Sequence, residues 1–285
     1  MRRFQPARTI EVALGSRTYD LTARALVMGV LNRTPDSFYA PAATLALDSL
    51  LERADRLVAE GADLLDVGGV KAGPGDEVSE AQELDRVVPV VAELRRRFDI
   101  PISVDTWRAS VAAACFDEGA VVGNDISGFA DPEYLPAAAK FGATVVATHI
   151  RLRPRVADPA PHYVNVTETV RDYLVERRSW AIAAGIDRRR IVLDAGLDLG
   201  KTAAHSLQLL RDSAQLAELD SPLLLSASNK TFLGDLLNLS VNDRRNASLA
   251  AAAVGISAGC RIVRVHDVAG SVRVRDALAR VLEEG

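Results

Sequence analysis

One pattern recurs along the whole chain and restricts its fold more than any other feature: a short apolar run is followed by a longer amphipathic stretch. Eight such units follow one another. The predicted strands lie at residues 26–31, 63–67, 102–104, 121–123, 144–147, 191–193, 223–225 and 261–265. The predicted helices lie at residues 44–59, 79–97, 108–118, 132–141, 166–184, 203–216, 243–258 and 271–283. Short runs that are apolar at nearly every position predict strands buried on both faces of a parallel sheet.

Eight consecutive strand-helix units predict an α/β fold, the (β/α)8 TIM barrel, whose usual length is about 250 residues. An open doubly wound sheet is the alternative that the same units allow. Gly119 and Gly142 stand where the helix before a strand has to end. Near the start, Gly15-Ser16 separates two segments that predict a β-hairpin plugging the bottom of the barrel. We therefore expect a hairpin extension over residues 1–23 and a barrel over residues 24–285.

Composition narrows the function classes. With 48% hydrophobic residues, 25% charged residues and a net charge of −4, the chain is neither disordered nor a basic nucleic-acid binder. The longest uncharged stretch, residues 246–260, is too short to span a membrane, and no apolar signal-peptide run follows the basic start. Cys115 and Cys260 are predicted to be buried free thiols. We expect a cytoplasmic protein with no membrane or nucleic-acid partner.

Polar residues follow the predicted strands where each strand ends, which in a barrel is the rim that carries active sites. They are Asn32, Asp66, Asp105, Asn124, Asp125, Thr148, His149, Asp194, Ser226, Ser228, Arg264 and His266. Acids after strands often cap the next helix, and this is our interpretation of Asp66 and Asp125. The others, together with Lys230, are expected to converge at one mouth.

Six strings carry a resemblance to a known family. They are MGVLNRTPDSF at 28–38, SVDT at 103–106, NDISG at 124–128, GKT at 200–202, SNKTFLG at 228–234 and RVHDV at 264–268. In this order and spacing they resemble the motifs of dihydropteroate synthase, over roughly residues 26–269. Gly200-Lys201-Thr202 is not a P-loop, because Ala195 stands where that motif needs its first glycine. Lys201 is instead predicted to open the helix after the sixth strand.

The resemblance implies a transferase of folate biosynthesis that condenses hydroxymethyl-dihydropterin diphosphate with 4-aminobenzoate and releases diphosphate. The substrate-binding residues that it implies are Asn32, Asp105, Asn124, Asp194, Ser228, Lys230, Arg264 and His266. A carboxylate accepts two adjacent N–H groups of a pterin edge, so Asp194 is the expected anchor. Lys230, Arg264 and His266 are the expected catalytic residues, and Asn32 is expected to bind the cofactor Mg²⁺. The rate enhancement would come from stabilising the charge of the leaving diphosphate and from positioning the amine.

Departures from the family pattern cluster on two sides of the expected site. Gly73 stands where the family has an arginine that grips the diphosphate. Lys71, two positions earlier, is a candidate to replace it, and the sequence leaves that question open. Asn229 replaces an arginine near the aminobenzoate, and Leu199 replaces an aromatic residue. Losing an arginine paired with an anion costs about 2–5 kcal/mol, so two losses predict activity weakened by orders of magnitude.

The first loop departs too. Arg33 stands where a small apolar residue is usual, and residues 40–42 replace Asp-Gly-Gly, which should stiffen a loop that closes over substrate. Taken together, the departures resemble the second, atypical actinobacterial-type copy of the enzyme. They keep the pterin anchors and alter the aminobenzoate and diphosphate sides.

Three functions stay open at this point. The first is the synthase, with weakened activity. The second is a catalytically silent pterin-binding homologue, or one with a different amine substrate. The third is a methyltetrahydrofolate-binding methyltransferase domain. The long loop over residues 151–162 either covers the anion site or forms a solvated lid, which we favour, and the alanine-rich residues 247–258 are a candidate homodimer interface.

Overall fold

The computed structural model describes residues 9–32 and 40–283, so Arg33 lies outside the described residues. The strands are β1 (Glu11–Leu14), β2 (Arg17–Asp20), β3 (Leu26–Asn32), β4 (Leu64–Gly68), β5 (Ile102–Asp105), β6 (Val122–Asp125), β7 (Thr144–Thr148), β8 (Ile191–Asp194), β9 (Leu223–Leu225) and β10 (Cys260–Val265). The helices are α1 (Ala40–Ala59), α2 (Glu80–Arg97), α3 (Ala109–Asp117), α4 (Tyr134–Phe141), α5 (Val166–Ala183), α6 (Ala203–Arg211), α7 (Ser213–Ala217), α8 (Thr231–Leu237), α9 (Arg245–Ser257) and α10 (Val268–Glu283).

Strands β3 to β10 form a closed barrel in which every pairing is parallel and β10 returns to β3. The predicted TIM barrel is confirmed, and the open sheet is excluded because no edge is left between β3 and β10. The register places Asp105 beside Asn124 and Thr148 beside Asp194 on neighbouring strands. Closure therefore brings the carboxyl ends of all eight strands to one mouth.

Apart from shifts of one to three residues at helix ends, the observed helices differ from the predicted ones in three places. Residues 40–42 belong to helix α1 and not to the loop expected from the sequence. The single helix predicted over 203–216 is divided at Asp212, which ends α6 and precedes α7. A short additional helix, α8, starts at Thr231, directly after Lys230. Gly142 ends α4 with a left-handed φ of 61°, as predicted.

The N-terminal hairpin closes the bottom of the barrel, as expected. Val12, Leu14 and Leu21 pack in one buried cluster with inward-facing residues such as Met28 and Val192. The Thr144 hydroxyl donates to the Ala13 carbonyl, which ties the hairpin to the start of β7. Hairpin and barrel therefore share a single apolar layer.

Every second residue of a barrel strand points into the barrel. Along the strands, these inward-facing residues change from apolar at the bottom to polar in the next layer up. Leu64 belongs to the bottom cluster, while Asp66, two residues further along β4, is fully buried above it. Val122 and Asn124 on β6 repeat this relation. The fold thus places polar side chains directly below the mouth.

Two further sequence predictions concern the cysteines and the absence of a membrane-spanning helix. Both cysteines, Cys115 and Cys260, are free and buried, as expected. Among the described residues no helix combines the length and apolarity that crossing a membrane requires.

Candidate active site

A cavity of about 600 Å³ opens at the mouth of the barrel. Six of the predicted site residues line it: Asn32, Asp105, Asn124, Asp194, Lys230 and Arg264. The other two, Ser228 and His266, do not line this cavity but contact each other, with 3.0 Å between the Ser228 hydroxyl and His266 Nδ1. The structure therefore brings most of the predicted site together and places Ser228 and His266 beside it.

Arg264 is the centre of a charge network on the cavity floor. Its Nε donates to Asp66 Oδ2 at 2.6 Å, and its Nη2 donates to Asp105 Oδ2 at 2.8 Å. Asp66 also accepts from the Ser103 hydroxyl at 2.6 Å and from the Asn124 amide at 3.3 Å. The guanidinium expected to grip a diphosphate is thus already engaged by two carboxylates.

The helix-cap interpretation of Asp66 is wrong. Asp66 lies inside β4, its carboxylate is completely buried, and it holds Arg264 in place. The signal that could have identified it is its position, since a carboxylate in the interior of a buried strand needs a cation or donors close by. Asp125 also does not cap a helix, because it accepts from the backbone amides of Ser127 and Phe129 in the turn after β6.

The electrostatics of the floor follow from burial. Burial raises the pKa of Asp105 to about 7, although the neighbouring Arg264 opposes this. Burial alone would lower the pKa of Arg264, but the carboxylates of Asp66 and Asp105 outweigh it and raise the pKa above its usual value. Arg264 therefore stays charged, and Asp105 titrates near neutral pH.

Three further lining residues, Asn124, Asp194 and Lys230, form what we call the cavity wall. Asp194 Oδ1 accepts from the Gly196 amide at 2.7 Å, which fixes the carboxylate at the end of β8. Lys230 Nζ donates to the Leu197 carbonyl at 2.5 Å. Burial raises the pKa of Asp194 and lowers that of Lys230. The wall presents carboxylate and amide acceptors next to an ammonium donor, which is the pattern that the edge of a heterocycle with several N–H groups requires.

Lys201, which the sequence placed at the start of a helix, has a different task. Thr202 caps α6, whereas the buried Lys201 ammonium reaches His149 Nδ1 and the Gly196 carbonyl, each at 2.8 Å. It also donates to the Leu199 carbonyl at 3.1 Å. Lys201 therefore holds the turn after β8 that carries the backbone partners of Asp194 and Lys230.

The loop after β4, residues 69–79, is held by a residue that the sequence did not reveal. Arg155, in the loop after β7, donates from Nη1 to the carbonyls of Lys71 and Gly73, at 3.0 Å each, and from Nη2 to that of Asp76. Its own amide donates to the Ala72 carbonyl at 3.0 Å. The loop after β4 thus takes its shape from Arg155, while the Lys71 side chain is exposed at the cavity edge.

Comparison with known proteins places this geometry in a family. The model of the pterin-binding enzyme family matches residues 28–266. The chain belongs to the dihydropteroate synthase family. It is 40% identical to inactive dihydropteroate synthase 2 of Mycobacterium tuberculosis over 264 residues, which are 90% of this chain and 83% of that relative. It is 38% identical to the dihydropteroate synthase of Escherichia coli over 247 residues, 86% of this chain and 88% of that one.

Solved structures of the family show the same fold. The crystal structure of Yersinia pestis dihydropteroate synthase in complex with a sulfonamide drug has a TM-score of 0.90 at 37% identity, and covers 97% of this chain and 100% of its own. The similarity to a relative named inactive agrees with the expected resemblance to an atypical second copy.

Positions at which this family member departs from the synthase pattern have distinct surroundings. A Cβ added at Gly73 would meet no atom within 4 Å, so the site of the missing arginine is open space. Asn229 adopts a left-handed φ of 58°, and its carbonyl accepts from Arg244. An arginine at position 229 would be strained by about 1–2 kcal/mol in this conformation. Leu199 lines the main cavity at the end nearest the loop after β7.

Magnesium, expected at Asn32, has little support from the described residues. No group of three acidic, histidine or cysteine side chains among them is arranged to hold a metal ion. The Asn32 amide oxygen lies close over Gly68, 3.2 Å from where a Cβ at that position would be. One amide oxygen does not make a magnesium site, and Mg²⁺ usually takes further ligands from substrate phosphates. Asn32 as a magnesium ligand stays a prediction.

The alanine-rich helix face that was expected to form a dimer interface is covered by other residues of the same chain. Ala247, Ala251 and Ala252 on α9 are buried in the protein's own structure. Large exposed apolar residues lie instead just before it, at Leu236, Leu237 and Val241. A homodimer stays a prediction, and its interface would need residues other than these alanines.

Proposed function

We propose that this protein binds a reduced pterin in the mouth of its barrel and catalyses the synthase condensation weakly or not at all. The pterin would lie against Asn124, Asp194 and Lys230. Its N–H edge would donate to the Asp194 carboxylate, and its ring acceptors would accept from Lys230. These three side chains line one cavity, and the turn that Lys201 holds carries backbone partners of Asp194 and Lys230.

The observation that carries the proposal is the engagement of Arg264 by Asp66 and Asp105. Condensation requires the pterin CH₂–O bond to break while diphosphate leaves with its charge, and the amine nitrogen then attacks the CH₂ and loses a proton. Rate therefore depends on cations free to meet the leaving group. Arg264 is paired with the side chains of Asp66 and Asp105, and Gly73 supplies no charge.

The histidine beside the cavity adds little positive charge. Burial, together with Arg264 and Arg53 nearby, lowers the pKa of His266 to about 4. At neutral pH its ring is uncharged and shares a hydrogen bond with Ser228. Lys71 is an exposed cation at the edge of the cavity, and it would meet the diphosphate there.

A second candidate is the same condensation with a different amine. It is favoured by Leu199, which replaces the aromatic residue expected to pack aminobenzoate. The change leaves a flexible aliphatic wall at that end of the cavity. Diphosphate release measured over a panel of primary arylamines separates this candidate from the silent binder.

Calorimetric titration with 6-hydroxymethyl-7,8-dihydropterin tests the proposed function. We expect saturable binding at one site per chain, and at least about tenfold weaker binding by Asp194→Asn, which replaces a charged acceptor. The matched control is Asp63→Asn, which removes a carboxylate that pairs with Arg275 and does not line the cavity. The control should bind like the original protein. Absence of binding by the unaltered protein would refute the proposal.

A further inference from the structure

Two hydroxyl-bearing residues, Thr148 and Ser226, line the cavity at the barrel mouth, and the proposed pterin contacts use neither of them. Thr148 ends β7 and is 2% exposed, and its Oγ1 is buried without a partner among the described residues. Ser226 directly follows β9 and is 8% exposed, and its side chain makes no hydrogen bond within the part of the chain that the structure describes. A buried hydroxyl without a partner is unfavourable, so both positions lack a hydrogen bond that a ligand can supply.

Strand alternation points both side chains into the barrel, on the two sides of Asp194. On β7, on β8 and on the line of β9, the residue two positions earlier belongs to the apolar cluster at the bottom of the barrel. Strand β8 lies between β7 and β9, and Thr148 is the register partner of Asp194. Rotation about the Cα–Cβ bond of Thr148 reorients its hydroxyl and leaves the strand in place. The cavity therefore presents one carboxylate between two hydroxyl-bearing residues.

Hydroxyl groups elsewhere in the barrel interior are paired within the protein. Ser103 donates to Asp66 at 2.6 Å, and Thr144, at the start of β7, donates to the Ala13 carbonyl. Neither Ser103 nor Thr144 lines the cavity. The hydroxyls of Thr148 and Ser226 differ from these two in facing the cavity, which indicates that their partner is a bound molecule.

The chemistry of this row matches one edge of a heterocycle. Asp194 Oδ1 accepts from the Gly196 amide, and the described residues donate no hydrogen bond to Oδ2. The pyrimidine ring of a pterin carries two adjacent N–H donors, with the 4-oxo oxygen on one side of the pair and a ring nitrogen acceptor on the other. A carboxylate accepts from the two donors, and a hydroxyl on each side can donate to the flanking acceptors.

We propose that Thr148 and Ser226 determine the ring specificity of the site. Their hydroxyls donate to the two acceptor atoms that flank the N–H pair of a 2-amino-4-oxo-pteridine held by Asp194. This inference rests on the proposed function, because Asp194 has to anchor the pterin for the hydroxyls to meet its edge. Lys230 then donates to a further acceptor of the ring.

Calorimetric titration with 6-hydroxymethyl-7,8-dihydropterin tests each hydroxyl. Thr148→Val and Ser226→Ala should each weaken binding about fivefold, as expected for the loss of one neutral hydrogen bond. Thr148→Ser retains the hydroxyl and should keep most of the affinity. The matched control is Thr144→Val, which makes the same change on the same strand outside the cavity and should leave pterin affinity unchanged.

Thermal unfolding without ligand separates a ligand contact from a packing role. Thr148 Oγ1 has no partner in the free protein, so Thr148→Val should leave the melting temperature unchanged or raise it. Thr144→Val should lower the melting temperature, because it removes the hydrogen bond to the Ala13 carbonyl. A lower melting temperature for Thr148→Val, or an equal loss of pterin affinity in Thr148→Ser, would show a packing role and overturn the proposal for Thr148.

A change in the ligand tests the contact with the ring edge. The 4-thio analogue of the same dihydropterin carries sulfur, a weak acceptor, in place of the 4-oxo oxygen. The unaltered protein should prefer the oxo pterin, and either Thr148→Val or Ser226→Ala should reduce this preference. Unchanged pterin affinity in both variants, or a preference that survives in both, would overturn the proposal alone. Failure of the unaltered protein to bind the oxo pterin would overturn the proposed function instead.

Discussion

Replacing Arg264 with methionine removes the guanidinium that pairs with both Asp66 and Asp105. The side chain of Asp66 is 0% exposed and that of Asp105 is 16% exposed, so neither carboxylate regains full hydration. Breaking a buried ion pair on one side costs about 3–5 kcal/mol. Ser103 and Asn124 still donate to Asp66, so we expect a loss of roughly 4 kcal/mol at pH 8.

The loss should depend on pH in a defined direction. In the folded variant Asp105 keeps its proton to a higher pH than in the unfolded chain, because burial raises its pKa and Arg264 no longer opposes this. The unfolded state then binds fewer protons above pH 4, so the variant loses stability as pH rises and regains it as pH falls toward 5. Urea unfolding of the variant and of the unaltered protein, followed by circular dichroism at pH 5 and pH 8, measures the loss in free energy of unfolding at each pH.

Arg275→Met is the matched control. Arg275 is also buried and pairs with Asp63 at 2.7 Å and with Asp276 at 2.8 Å, but it does not line the cavity. It should cost stability while leaving pterin affinity unchanged. A loss for Arg264→Met below about 1 kcal/mol, or a loss equal at both pH values, would refute the reasoning on the buried network.

Four further outcomes are expected. Gly73→Arg, which enters open space, should speed diphosphate release about tenfold or more in a coupled assay, and the uncharged Gly73→Gln should not. Pterin affinity measured by calorimetry should fall as pH drops below about 7, where Asp105 takes up a proton, and Asp105→Asn should remove this dependence. In NMR titrations His266 should stay neutral down to about pH 4, and a midpoint near 6.5 would contradict its burial. Arg155→Ala should speed amide hydrogen exchange over residues 70–78, and unchanged exchange would show that Arg155 does not hold that loop.

The fold follows from the sequence because its causes are local and repeated. Eight buried runs, each ended by polar residues and followed by a helix of suitable length, are compatible with few arrangements. The helix bounds that the sequence did not predict depend on one or a few residues. Asp212 interrupts one long predicted helix, and residues 40–42 continue a helix into what the sequence suggested was a loop.

The site was predictable where one residue carries the chemistry and unpredictable where two distant segments meet. Asp194 and Lys230 could be identified from their motifs, and they line the cavity. The ion pair between Arg264 and Asp66 joins residues 198 positions apart in the sequence, and no local pattern predicts such a contact. Arg155 is similar, since its partners lie about 80 residues earlier in another loop.

Diphosphate release from hydroxymethyl-dihydropterin diphosphate and 4-aminobenzoate, measured beside the Escherichia coli enzyme, tests the central claim most directly. A calorimetric titration of the same preparation with 6-hydroxymethyl-7,8-dihydropterin establishes that the site is intact. We predict saturable pterin binding together with release on the order of 100-fold or more slower than in the Escherichia coli enzyme. Release at a comparable rate would contradict the account, because it would mean that the engaged Arg264 and the glycine at position 73 do not limit the reaction.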